Sequence, residues 1–182
     1  MGFGGGAETL ETATYYANIT GGILNVDASG DGLDSNGALF ISGGTVTVSG
    51  PTNFGNGALD YTTTGQVTGG TVIITGSSGM AMNFDSSSTQ PALMQTFSAY
   101  FDGGTTVTVS DSTGAVLAEF TPAKTYNNVV VSLPEFTVGE TYTVTCGTES
   151  MEVTLESVVT GGGGGFGPGM GGFGGGRGGR PW

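Results

Sequence analysis

Ile19-Thr20-Gly21-Gly22, Ile41-Ser42-Gly43-Gly44 and Val67-Thr68-Gly69-Gly70 are one pattern written three times, at steps of 22 and 26 residues. Steps of this size belong to solenoids, where each repeat is one turn and neighbouring turns bury what a single turn cannot. After each Gly-Gly pair the apolar residues alternate, with Leu24 and Val26, Val46 and Val48, and Val72 and Ile74 on one parity. Successive side chains of a strand point to opposite faces, so these pairs are predicted to share one core. A second strand is expected in each turn at Asn36-Gly37-Ala38-Leu39, Asn56-Gly57-Ala58-Leu59 and Ser78-Gly79-Met80-Ala81, stacking Asn36, Asn56 and Ser78 as a polar ladder. The connecting loop then shrinks from turn to turn, and its uneven edge is the natural place for a site.

From about Pro91 the repeat gives way to short alternating segments, Gln95 to Phe101, Thr105 to Ser110, Ala115 to Phe120, Asn128 to Ser132, Thr141 to Thr145 and Met151 to Glu156. Asp102-Gly103-Gly104, Asp111-Ser112-Thr113-Gly114 and Val138-Gly139-Glu140 separate them as turns. The expected fold is all-β, a short parallel β-helix followed by a small antiparallel β-sandwich-like domain. Its divisions are a Gly-rich lead over 1–7, the β-helix turns over 8–88, the antiparallel domain over 89–160 and a disordered Gly-rich tail over 161–182.

Charge narrows the function. The chain carries 15 Asp and Glu residues against 3 Lys and Arg, a net charge of −12, and has no His. All the acids lie between Glu8 and Glu156, where Lys124 is the sole base. Such a surface repels nucleic acid and anionic lipid but attracts hard divalent cations, for which carboxylate and carbonyl oxygens are the fitting ligands. Cys146 has no partner for an internal disulfide and reads as a buried thiol. No run is long enough to span a membrane. Met1-Gly2-Phe3-Gly4 lacks the charged and apolar regions of a signal peptide, so an export signal is expected upstream.

The densest set of oxygen donors is Asp27-Ala28-Ser29-Gly30-Asp31-Gly32-Leu33-Asp34-Ser35-Asn36. It opens like a helix-loop-helix calcium loop but has Ala38 where that motif needs a bidentate Glu, so that motif is rejected. In stacked turns the next repeat can complete a shell, with Asn53, Asn56 and Asp60 above Asp31, Asp34 and Asn36. Asp27, Asp31, Asp34, Asn36, Asn56 and Asp60 are the candidate calcium ligands. Asp, Asn and Gly also populate turns for backbone reasons alone, so both readings stand. Tyr15, Tyr16, Phe54 and Tyr61 are candidate platforms for sugar rings, with plain packing as the alternative. Catalysis is not expected: without His, and with no Lys or Arg before Lys124, the first half has no cationic base for sugar lysis.

The run ITGGILNVDASGDGLDSNGALFISGGTVTVSGPTNFGNGALDY, followed by GGTVIITGSSGMAMNF, resembles a bacterial family of calcium-binding, carbohydrate-binding proteins. The likeness continues through SSSTQPALMQTF and GTTVTVSDSTGAVLAEFTPAKTYNNVVVSLPEFTVGETYTV into the Gly-rich tail. It covers about residues 14 to 160, and GDGLDSNG and GPTNFGNGALDY are its specific motifs. The resemblance implies a right-handed parallel β-helix of pectate-lyase-like shape and binding to cellulose or polygalacturonate (pectin). It also implies calcium ligation by Asp31 and Asp34, with Asp27, Asn36, Asn56 and Asp60 in support. Where the family pattern would read GSSGMAQ this chain has Met82, and it looks shorter at its N-terminus. The expectation is a secreted or cell-surface, non-catalytic polysaccharide-binding protein. The alternative is a self-assembling surface subunit, a homo-oligomer through solenoid ends, with calcium only as a stabiliser.

Overall fold

The computed structural model describes residues 15–162, and the Gly-rich lead and most of the expected tail lie outside them. It is all-β. The strands are β1 (Tyr16–Asp27), β2 (Leu33–Ser35), β3 (Ala38–Ser49), β4 (Leu59–Tyr61), β5 (Thr64–Gly76) and β6 (Ala92–Phe101). They continue with β7 (Val107–Ser110), β8 (Val116–Phe120), β9 (Tyr126–Ser132), β10 (Thr141–Cys146), β11 (Glu149–Thr154) and β12 (Val159–Thr160).

The three Gly-Gly repeats stack as their spacing predicts. β1, β3 and β5 pair in parallel, with Ile19 opposite Ile41 and Ile41 opposite Val67. Beyond the break Leu24, Val46 and Val72 lie in one row and Val26, Val48 and Ile74 in another. Val46, Val48, Val72 and Ile74 are fully buried, whereas Leu24 and Val26 are half-buried because among the described residues β1 has a neighbour on one side only. Each Gly-Gly pair shifts the register of the ladder. The second glycine of each pair, Gly22, Gly44 and Gly70, has φ between +81° and +96°. A side chain at Gly44 would place Cβ 2.7 Å from the Gly22 carbonyl oxygen, so close stacking of the turns requires glycine there.

The main sheet is mixed. Its order is β1-β3-β5-β9-β6-β12, with β9 antiparallel to both β5 and β6. It therefore runs across the boundary expected near residue 88. The antiparallel expectation for the later residues holds in a second sheet, β11-β10-β7-β8, in which every pairing is antiparallel. β2 and β4 form a small third sheet, paired in parallel.

The central strands are covered on both faces. Val72, Ile74, Ala92 and Val130 face one core with Leu33, Leu39, Val48 and Leu59. Ile73, Leu93, Val129 and Val131 face the other with Val107, Val109, Val144 and Leu155. Alternating burial thus lets one sheet wall two cores, a layered arrangement in which hydrophobic area on both sides is removed from water. The lone thiol, Cys146, is buried in the second core as expected. Burial pushes it up to about 11, with the Tyr126 hydroxyl opposing the shift and the Glu149 charge adding to it.

The second strand of each turn differs from the sequence expectation. Leu33, Asp34 and Ser35 pair with Leu59, Asp60 and Tyr61, while Ala38 and Leu39 belong to β3 and pair with Thr64 and Gly65. The polar ladder of Asn36, Asn56 and Ser78 consequently does not form. Ser78 instead accepts from Asn127 Nδ2 at 3.0 Å and donates its backbone N–H to Asn127 Oδ1 at 2.9 Å. The connecting loop also lengthens, from 28–32 to 50–58, rather than shrinking. The physical cause is the inner row: Leu33 on Leu59 buries two leucines, and the loop absorbs the extra residues on the outside.

Candidate functional site

The two loops are pinned to each other before any side chain acts as a ligand. Gly32 and Leu33 donate their N–H groups to the carbonyls of Gly57 and Ala58 at 2.9 and 3.0 Å. The Gly57 N–H returns to Asp31 Oδ1 at 2.7 Å, a charge-assisted bond across a 26-residue step. Asn53 Nδ2 reaches the Ser29 carbonyl at 3.3 Å, and Asn53 Oδ1 accepts from Asn56 Nδ2 at 2.9 Å and from the Gly55 N–H at 3.0 Å.

β2 and β4 then set Asp34 beside Asp60 in register. Leu33 and Ser35 point inward and are buried, so the aspartates between them share the outer face. Burial holds the Asp60 carboxyl above the usual carboxylate range, and the negative charges of Asp31 and Asp34 raise it further. The Tyr61 backbone N–H opposes the shift. Asp31, Asp34 and Asp60 thus form one electrostatically linked group. Among the described residues no three or more His, Cys, Asp or Glu side chains stand as a ready metal-holding set. Asp31 and Asp34 both act on Asp60, but the three carboxylates do not converge on a point. A cation here would need further oxygens from backbone, amide or water, which is ordinary for calcium.

The other expected ligands have partners of their own. Asp27 ends β1 and its Oδ1 is taken by Lys124 Nζ at 2.7 Å, so its charge is already matched. Lys124 also reaches Ser29 Oγ at 3.3 Å. Asn36 follows Ser35, whose partner is Tyr61, and so stacks on neither Asn56 nor Asp60. Asn56 is engaged with Asn53 inside its own loop. The offset arises because the turns stack with a step of 26 at this point, not the smaller steps that an Asn36-to-Asn56 alignment assumes.

The aromatic candidates also divide. Tyr15, Tyr16 and Phe54 are each more than 60% exposed. Tyr61 is half-buried, its hydroxyl donates to the Asn83 carbonyl at 2.8 Å, and burial with the Asp85 charge pushes its phenol up to about 12. Its ring packs on the first core and its hydroxyl is engaged within the fold. Phe54 has a partner the sequence did not reveal: Tyr100 meets it edge to face with ring centroids 6.4 Å apart. Tyr100 is itself exposed, at the far end of β6 and 46 residues away, so no local pattern marks the contact. Phe54 lies in the same 50–58 loop that carries Asn53, Asn56 and Gly57.

Asp85 was a second omission. It accepts from the Gly65 N–H at 2.9 Å and from the Ser87 N–H at 2.9 Å, so it ties the segment after β5 to the start of that strand. No protein-family model, curated protein or solved structure matches the chain.

Proposed function

We propose that the chain is a calcium-dependent, non-catalytic binder of plant cell-wall polysaccharide, acidic (polygalacturonate) or cellulose, acting outside the cell or at its surface. In this reading β1 to β5 are successive turns of a right-handed parallel β-helix, with calcium at the outer edge where β2 stacks on β4. The carrying observation is the register of Asp34 on Asp60, with Asp31 close enough to raise the Asp60 carboxyl further. Like charges opposed on neighbouring strands destabilise the pair, so a bound dication would relieve the repulsion and stabilise the fold.

Calcium also resolves how so acidic a chain binds an acidic polymer, since an ion with spare coordination positions bridges protein carboxylates to uronate carboxylates. The exposed Phe54–Tyr100 pair supplies an apolar surface for a sugar ring on the adjoining loop. The test is affinity retention on immobilised polygalacturonate and on cellulose, with calcium and then with chelator. Retention on polygalacturonate is expected with calcium, lost in chelator and restored by calcium. Retention that ignores chelator overturns the bridging mechanism.

A further inference from the structure

The open edges of these sheets are defended unequally. β8 is 5 residues long and carries Glu119, β11 carries Glu149 and Glu152, and β12 has 2 residues. β2 and β4 have 3 residues each and carry Asp34 and Asp60. Brevity and charge are the usual protections against strand addition. β1 has neither. It is 12 residues long, has no proline, and its only charged residue, Asp27 at the far end, is matched by Lys124. Among the described residues no strand pairs with its outer edge. Ala17, Ile19, Leu24 and Val26 belong to the first core yet are only partly buried, and Ile23 is 79% exposed. Among the described residues nothing would obstruct a Cβ at Gly21 or Gly22, so by that measure the edge is open along its middle as well.

That edge is also self-complementary. Ala17-Asn18-Ile19-Thr20-Gly21-Gly22-Ile23-Leu24-Asn25-Val26 reads nearly alike in both directions from the Gly21-Gly22 bond. Two copies placed antiparallel about that bond would set Ala17 against Val26 of the second copy, Ile19 against Leu24, and Asn18 against Asn25. Each core-facing residue then meets a core-facing residue, and each asparagine meets an asparagine. A strictly alternating strand could not do this, because residues 19 and 24 would fall on opposite faces. The register break at Gly21-Gly22 puts Ile19 and Leu24 on the same core side and creates the symmetry.

We propose that the outer edge of β1 is a homodimer interface, in which two copies pair β1 antiparallel across a twofold axis at Gly21-Gly22. Identical patches meeting across a twofold are what closed dimers require. The chain carries a net charge of −12, so an edge whose one charge is already neutralised is where two copies can approach without strong repulsion. The strip is roughly 40 Å long. Specific association needs about 1,000 Å² in all, so a contact confined to one strand edge and the core row beside it is expected to give a concentration-dependent dimer. The proposal does not depend on calcium or sugar.

Sedimentation velocity on the full 182-residue chain, from low to high micromolar in chelator, is expected to show monomer passing into dimer. Asn18→Cys combined with Asn25→Cys is expected to yield a covalent dimer on oxidation, with the buried Cys146 thiol taking no part. Asn18→Asp combined with Asn25→Asp sets like charges opposite each other at two places. This variant should stay monomeric throughout, while melting at low concentration as the parent does. A parent that remains monomeric at high concentration overturns the proposal, as does a dimer that the cysteine pair fails to link. A monomer whose outward-pointing β1 amides, those not bonded to β3, resist hydrogen exchange would mean that the edge is already covered within the chain, which also overturns it.

Discussion

Ile73→Ala separates a sheet covered on one face from a sheet that walls two cores. Ile73 lies between Val72 and Ile74 on β5, points to the opposite face from both, and is 2% exposed. Truncation removes three buried carbons, about 2.4 kcal/mol at roughly 0.8 kcal/mol per methylene. The neighbours Leu93, Val129 and Val131 are held in paired strands and cannot collapse into the space. The residual cavity therefore adds to the loss, giving about 3–4 kcal/mol in all. For a domain of this size each kcal/mol lowers Tm by about 2–4 °C, so the variant should melt about 10 °C below the parent. Urea unfolding followed by circular dichroism should give the same loss with an unchanged slope. Ile74→Ala, on the opposite face, should cost a similar amount. A loss below about 1 kcal/mol for Ile73→Ala would refute the reasoning, because exposed truncations cost that little.

The remaining predictions concern the site and its supports. Gly32→Ala would drive Cβ into the Ala58 carbonyl oxygen, an overlap that only backbone movement can relieve, and bring it to 2.7 Å from Val48 Cγ1. It should cost about 1–3 kcal/mol in thermal or urea unfolding. The Tyr61 phenol, pushed up to about 12, should ionise only well above pH of about 10 when followed by ultraviolet difference absorbance, in a step that Tyr61→Phe removes. Because its folded value lies above the unfolded one, the stability it contributes is complete below pH of about 10 and is lost as pH rises towards about 12. Asp60 is likewise raised, so its own contribution grows as pH falls towards the carboxylate range from neutrality, and in chelator the Tm of the parent should rise relative to that of Asp60→Asn over that range.

The parallel rows were legible because their signal is local and repeated. Gly-Gly followed by an alternating Val, Ile or Leu pair recurs three times, and one register satisfies all three copies. The antiparallel segments after residue 91 were legible for the same reason, with Asp-Gly turns between short alternating runs. What escaped the sequence was set by contacts between distant residues. Asn36-Gly37-Ala38-Leu39 and Asn56-Gly57-Ala58-Leu59 look alike, yet Leu59 packs on Leu33, because β2 is too short to announce itself by pattern. That one displacement kept Asn36 from stacking on Asn56 and set Asp34 on Asp60. The Asp27–Lys124 pair and the Phe54–Tyr100 contact span 97 and 46 positions, beyond any periodicity. The continuous apolar run Val72-Ile73-Ile74 did carry a sign of two-sided burial, since a strand with one wet face alternates.

The most direct test of calcium at the stacked aspartates is thermal melting in chelator and at a calcium concentration 100 times the dissociation constant. The parent is compared with a variant combining Asp34→Asn and Asp60→Asn. Ligand linkage gives the parent about 2.7 kcal/mol at that concentration. This is a rise of about 5–10 °C for a domain of this size. The variant, relieved of the opposed charges, should match or exceed the parent in chelator and show no rise with calcium. An equal rise in both proteins, or none in the parent, would contradict the account.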